Sequence, residues 1–200
     1  MEQTRIQAFG DELYQAMLNR EAVAPLTDRG EDITINDAYH ISLRMLERRL
    51  ADGASVIGKK IGVTSKAVQN MLNVHQPDFG YLTDDMVFNS GEVMPISDRL
   101  IAPRAEGDQA VSPRKVDLVT CGMVVEKNGS VLSAGAGAAA LGSPVNCVTW
   151  LANTLGEFGI TLKAGEVILS GSLVPLEPVK AGDYMRVDIG GIGSASVRFA

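Results

Sequence analysis

The chain has 200 residues, 46% hydrophobic and 21% charged: enough apolar material for a sizeable core and too much for general disorder. Lys and Arg total 18 against 24 Asp and Glu, so the net charge of −6 supplies no basic face for nucleic acid. The longest apolar runs, such as Met123–Val125 and Ala138–Leu141, are too short to cross a membrane. Met1-Glu2-Gln3-Thr4-Arg5 lacks the basic-then-apolar order of a signal peptide. Cys121 and Cys147 fit no CxxC or framework spacing and read as two half-buried thiols in a reducing cytoplasm.

In chain order, Phe9, Leu13, Ala16, Met17 and Arg20 repeat with a 3.6 period and predict an amphipathic helix over residues 8–21, broken by Pro25 and Gly30. Thr34 and Asp37 form a capping box in its Asp version. Behind it Ala38, Ile41, Met45 and Leu46 line one helix face. Arg44, Arg48 and Arg49 read as a solvated face near the C-terminal dipole, and Gly53 is the expected stop. Ser65 is placed to cap a short helix through Leu72. Residues 1–75 thus form a helical part. Residues 76–200 read as β-rich: Val116–Glu126 and Ser130–Ala134 flank Asn128-Gly129, the signal for a hairpin with a type I′ turn. Ser143 and Pro144 open one helix, Pro144–Leu155, and short strands follow at Glu166–Ser170, Tyr184–Ile189 and Ser194–Phe199. With no βαβ alternation, the expectation is an α+β fold: a helical N-terminal part on a mostly antiparallel, curled, Gly-rich β domain packed around that helix.

Four constellations bear on chemistry. In Gly58-Lys59-Lys60-Ile61-Gly62-Val63-Thr64-Ser65 the glycines permit close approach and Lys60 can project as a cation; the order is not that of a Walker loop. Spacing alone leaves Lys60 open between a solvated lysine on a strand edge and a catalytic one. In His75-Gln76-Pro77-Asp78-Phe79-Gly80 the proline stiffens the approach to Asp78, which is either a turn former or a carboxylate held still for chemistry. Glu106-Gly107-Asp108 places two acids on one side of a strand, as for a hard cation such as Mg²⁺ or as on a solvated surface. Gly135-Ala136-Gly137-Ala138-Ala139-Ala140 fits a relaxed dinucleotide pattern but does not open a helix, so its glycines read as tight packing or as backbone approach to a small carboxylate near a helix N-terminus.

Taken together, Gly58–Ser65, Gln76–Gly80, Ile101–Glu106, Gly135–Pro144, Trp150-Leu151-Ala152 and Ile168–Ser172 resemble the 2-hydroxypenta-2,4-dienoate (2-oxopent-4-enoate) hydratases of aromatic meta-cleavage pathways, in the fumarylacetoacetate hydrolase-like superfamily. The segments occur in family order over nearly the whole chain. The resemblance implies a cytoplasmic hydro-lyase and homo-oligomer, able to associate with the related pathway decarboxylase. It would add water to a 2-oxo/2-hydroxy-dienoate with a divalent metal, Mg or Mn, as Lewis acid. Lys60 would stabilise the enolate oxygen, Asp78 would be general acid/base, Ser172 and Gly142 would bind substrate, and Glu106 and Asp108 would hold the metal.

The chain departs from the family at residues 107–109. Members continue there into several strands carrying a third metal carboxylate, whereas Glu106-Gly107-Asp108 runs straight into Gln109-Ala110-Val111-Ser112-Pro113-Arg114. Either an internal segment is omitted from the sequence, or a true deletion leaves a weak metal site and little turnover. The superfamily offers two other readings: a 2-oxo-3-hexenedioate decarboxylase, and an impaired subunit that only packs with homologous ones.

Overall fold

The computed structural model describes residues 1–29, 32–96, 104–107 and 110–200, with backbone alone for 104–106. The Glu106 side chain, Asp108 and the chain step from 106 to 110 therefore lie outside the described residues.

Helix α1 (Gln3–Asn19) starts earlier than its periodic stretch and packs Ile6 and Phe9 on Ile41 of α2 (Ile35–Ala51). The capping box opens α2 as expected. Thr34 Oγ1 accepts the Asp37 N–H at 3.1 Å, the Asp37 carboxylate accepts the Thr34 N–H at 3.0 Å, and Gly53 ends the turn at φ +98°. Strand β1 (Val56–Gly62), helix α3 (Lys66–Leu72) with Ser65 as its cap, and strand β2 (Asp78–Thr83) follow. The α2 basic face is not solvated throughout. Arg44 pairs with Asp11, and Arg49, 8% exposed, donates to Thr83 Oγ1 at 2.6 Å and to Asp85 at 2.7 Å. A buried guanidinium needs such partners, and this one ties α2 to the end of β2.

Next come β3 (Val87–Asn89), β4 (Val93–Met94), β5 (Arg104–Glu106), β6 (Gly122–Lys127) and β7 (Ser130–Ala136). Helix α4 (Pro144–Glu157), β8 (Val167–Leu169), β9 (Tyr184–Ile189) and β10 (Gly193–Phe199) complete the order. Among the described residues, β4-β10-β9-β6-β7 form one sheet, β3 and β5 pair in parallel, and β2-β1-β8 form another sheet. Antiparallel pairing dominates the five-stranded sheet. β8 instead leaves the C-terminal strands and joins β1 in parallel. The two segments divided at residue 75 thus share a sheet, and β1 is central in it rather than an edge. Residues 116–121 also differ from their expected strand: Asp117 accepts the Val119 N–H at 3.0 Å and the Thr120 hydroxyl at 2.6 Å, and this local turn delays β6 to Gly122.

On α4, Cys147, Leu151 and Leu155 are each 0% exposed and pack on Ile61 and Phe79. The helix thus covers the β1–β2 sheet rather than being wrapped by the C-terminal strands, because its apolar side chains recur at four-residue spacing on one face. Each buried leucine contributes about 1.5–3 kcal/mol. Burial pushes the Cys147 thiol up, so it is a packing group and not a nucleophile.

The Asn128-Gly129 tip is a type I′ turn, with φ +54° and +82°. Asn128 Nδ2 donates to Asp183 at 2.9 Å and Asn128 Oδ1 accepts the Tyr184 N–H at 2.8 Å, fastening the hairpin to β9. Asp183 also accepts from Lys127 Nζ and the Lys180 N–H, both at 2.9 Å. These bonds, that from Asn128 first, hold the Asp183 carboxyl at about 2 against an ordinary 3.8. A depressed folded-state value gives stability that is complete above 3.8 and lost as pH falls toward 2. Asp183→Asn is expected to lower Tm at pH 7 and to flatten the acid limb of a Tm-against-pH curve. An unchanged acid limb would remove Asp183 from that role.

Candidate active site

The site is built on the pairing of β1 with β2. Lys60 lies opposite Gly80 and Gly62 opposite Asp78, so Lys60 and Asp78 stand on one sheet face as diagonal cross-strand neighbours. The alternate residues Lys59, Ile61, Phe79 and Tyr81 point the other way, toward α4 and its core. Each polar side chain lies across a glycine. A Cβ at Gly80 would sit 3.2 Å from Lys60 Cε, and one at Gly62 would collide with Asp78 Oδ1. The glycines of both motifs therefore clear the sheet surface under the two candidate groups. Lys60 is half-buried and Asp78 exposed, and among the described residues Lys60 makes no hydrogen bond or ion pair. It remains available to a ligand.

Three further segments meet at the C-terminal end of β1. The Leu141 N–H donates to the Thr64 carbonyl at 3.3 Å, bringing the turn before α4 alongside. Thr64, 3% exposed, packs its side chain on Gly171, where a Cβ would collide with it. Its Oγ1 has no partner among the described residues. Ser172 follows, but its hydroxyl donates to the Val174 carbonyl at 2.5 Å and accepts the Val174 N–H at 3.3 Å. Gly142 has φ +81° and gives its N–H to the Ala138 carbonyl at 3.0 Å. Both expected substrate-binding residues thus adjoin the end of β1 with hydrogen bonds committed locally, while the Lys60 and Asp78 side chains make none among the described residues.

Beside Asp78 a cavity of about 570 Å³ is lined by Tyr39, Ser42, Val63, His75 and Pro77. Tyr39 stacks on Phe79 with centroids 4.2 Å apart, which brings its hydroxyl into the field of Asp78. Burial and then that charge push the Tyr39 hydroxyl up, keeping it a neutral donor at the cavity wall. Tyr39 and Thr64 escaped the sequence reading. Tyr39 sits in an ordinary amphipathic pattern with no signal of its own, whereas Thr64 lies inside a motif that drew attention to its lysine.

The metal residues stand apart. The Glu106 side chain and Asp108 lie outside the described residues, and among those described no three His, Cys, Asp or Glu side chains converge on a point that could hold a cation. The described part of the chain does not complete a hard-cation site.

Residues 30–200 match the family model for the fumarylacetoacetate (FAA) hydrolase C-terminal domain. A 2-hydroxypent-2,4-dienoate hydratase of Pseudomonas putida is 58% identical over 221 aligned positions, covering 80% of this chain and 100% of that protein. A 2-hydroxyhexa-2,4-dienoate hydratase of Comamonas testosteroni is 41% identical over 256 positions, covering 97% of each. Among solved structures, the 4-oxalocrotonate decarboxylase of Pseudomonas putida G7, complexed with magnesium and adipate, superposes with a TM-score of 0.92 at 28% identity, covering 100% of this chain and 99% of that one. With the family model spanning most of its length and the helical part, central β1 and α4 all matched in that superposition, the chain belongs to the fumarylacetoacetate hydrolase C-terminal family.

Proposed function

We propose that this protein is a hydro-lyase that adds water to 2-hydroxypenta-2,4-dienoate to give 4-hydroxy-2-oxopentanoate. The observation that carries the reading is the paired placement of Lys60 and Asp78 over Gly80 and Gly62, in a chain 58% identical to a hydratase of that dienoate.

The chemistry asks for two things. Loss of the 2-hydroxyl proton and protonation at C5 turn the dienol into a conjugated enone, whose C4 is then open to water. Addition there places negative charge on the 2-oxygen until C3 is protonated. A lysine ammonium beside the 2-oxygen favours the charged species over the ground state, which is how a fixed cation lowers a barrier. In this proposal Asp78 takes the proton from the 2-hydroxyl or the attacking water and returns it to carbon, a role supported by its place on the Lys60 face of the sheet. Tyr39 and the apolar wall around it favour a short carbon chain beside Asp78. The committed bonds of Gly142 and Ser172 make them shapers of the carboxylate end, a role supported by their place beside β1.

A divalent cation is supported for this chain by the magnesium held in the decarboxylase neighbour, and Glu106 and Asp108 are the proposed ligands, with magnesium or manganese the proposed ions. No step above is routed through it. The two hydratase alignments run over 221 and 256 positions, while this chain has 200 residues and is covered to 80% and 97%. Those spans support relatives that carry stretches this chain lacks, and the departure near residues 107–109 is the proposed place for one. A hard cation takes about six oxygens including waters, and two carboxylates leave most of that shell to water, so isothermal titration with Mg²⁺ is expected to show weak binding, about millimolar. Micromolar binding would show that the ligand set is complete.

A second reading, decarboxylation, is favoured only by the decarboxylase superposition at 28% identity. Incubation with the dienoate and with 2-oxo-3-hexenedioate separates the two: the expected outcome is hydrated product from the first and no carbon dioxide from the second. Carbon dioxide release would reverse the assignment. Lys60→Ala and Asp78→Asn are each expected to lower kcat by about 10²–10⁴-fold with smaller changes in KM. Gly62→Ala, which displaces the Asp78 carboxylate, should lower kcat more than Gly80→Ala, which meets only the flexible Lys60 stem. Equal effects would mean that the glycines do not set the site.

A further inference from the structure

Two lysines stand side by side in β1, and only one can face the site. Lys59 is 2% exposed, on the α4 side of the sheet. Its Nζ lies 2.5 and 2.6 Å from the two oxygens of Glu166, whose side chain is 11% exposed. The same Nζ sits 5.8 Å from the ring centroid of Tyr81, its partner residue on β2. Glu166 also accepts the Lys163 N–H at 2.8 Å, so its carboxylate is fixed by the turn that leads into β8. β8 in turn pairs Ile168 with Lys59 and Leu169 with Lys60.

Backbone pairing alone leaves this choice open. β1 carries an irregularity between Val56, opposite Thr83, and Gly58, opposite Leu82, where its chain advances by one more residue than β2. An extra residue of this kind can move along a strand, and a one-residue move exchanges the faces of Lys59 and Lys60. Ile61 opposes the exchange by its place in the core. At the lysines themselves, the group that distinguishes the faces is Glu166.

We infer that Lys59 and Glu166 form a register lock: a buried ion pair that makes Lys59 a positioning residue and holds Lys60 as the lysine presented to the site. Burial raises the Glu166 carboxyl, but the Lys59 hydrogen bond and charge and the Lys163 N–H more than offset it, so it is ionised at neutral pH. Replacing Glu166 leaves a buried ammonium without its counter-charge, which removes the electrostatic preference for Lys59 on the α4 side of β1.

The catalytic half of the test rests on the proposed role of Lys60; the labelling half does not. Wild-type protein and Glu166→Gln are acetylated under native conditions with a small amount of acetic anhydride, and modification at Lys59 and Lys60 is read by tandem mass spectrometry. Lys60 is expected to react roughly tenfold faster than Lys59 in the wild type, and the ratio to approach one in Glu166→Gln. If Glu166→Gln does not fold, Glu166→Asp is measured instead, which keeps the charge but draws it back from Lys59 by one methylene. The Lys60-to-Lys59 labelling ratio is then expected to fall by roughly threefold, with kcat down by a similar factor and KM little changed. An unchanged labelling ratio in folded Glu166→Gln, or in Glu166→Asp where Glu166→Gln does not fold, overturns the lock. Full kcat in Lys60→Ala would instead remove the catalytic reading and leave the labelling result standing.

Discussion

The antiparallel register of β1 on β2 sets a lysine and a carboxylate on the same side of a sheet whose reverse side is core. Side chains alternate along a strand, so every residue that serves the site is flanked by one that serves the packing: Lys59 and Ile61 beside Lys60, Phe79 beside Asp78. The site is therefore as well positioned as the core is packed. Displacing β1 by one residue would carry Ile61 out of the core and take Lys60 from the ligand side at the same step.

That dependence explains where the molecule invests its packing. α4 places Cys147, Leu151 and Leu155, without exposed surface, against the reverse of the sheet. Phe158 meets Phe79 and Tyr39 edge-on at 5.8 and 5.4 Å, closing an aromatic cluster directly behind Asp78. Such a cluster contributes to stability and also fixes ring positions. The phenol of Tyr39 reaches the cavity wall because its ring is held against Phe79. Arg49 and its bonds to Thr83 and Asp85 do the same at the far end of β2, so the strand is held at both ends.

Sequence reasoning reached the elements whose signals are local. Thr34 with Asp37, Ser65, Ser143 with Pro144 and Asn128-Gly129 each act within a few residues, and the structure has all of them where they were expected. It singled out Lys60 and Asp78 because both lie in motifs carried by a resemblance, and the structure sets the two on one sheet face. What it missed depends on partners distant in the chain. Arg49 read as solvated because nothing nearby announces Thr83 and Asp85; Lys59 carries no signal of its own because Glu166 lies 107 positions away. β8 read as one more antiparallel strand because a parallel partner leaves no mark on a run of Val167-Ile168-Leu169. Long-range pairing is a property of the packed state, and single-residue patterns carry little of it.

The same separation bears on the departure near residues 107–109. The β2-β1-β8 sheet, α4 and the aromatic cluster draw on residues 39–83 and 140–173. Lys60 and Asp78 owe their shared face to the pairing within the first of these stretches. Of the proposed metal carboxylates, Glu106 ends β5, which pairs with β3 outside that sheet. Should this chain bind metal weakly, its lysine and carboxylate would still share their face, still be cleared by Gly80 and Gly62, and still offer a cation and a base to a small 2-oxo acid. The physical distinction between an impaired hydratase and a complete one would then lie in how the substrate's own oxygens are held, not in whether the proton-transfer groups are in place.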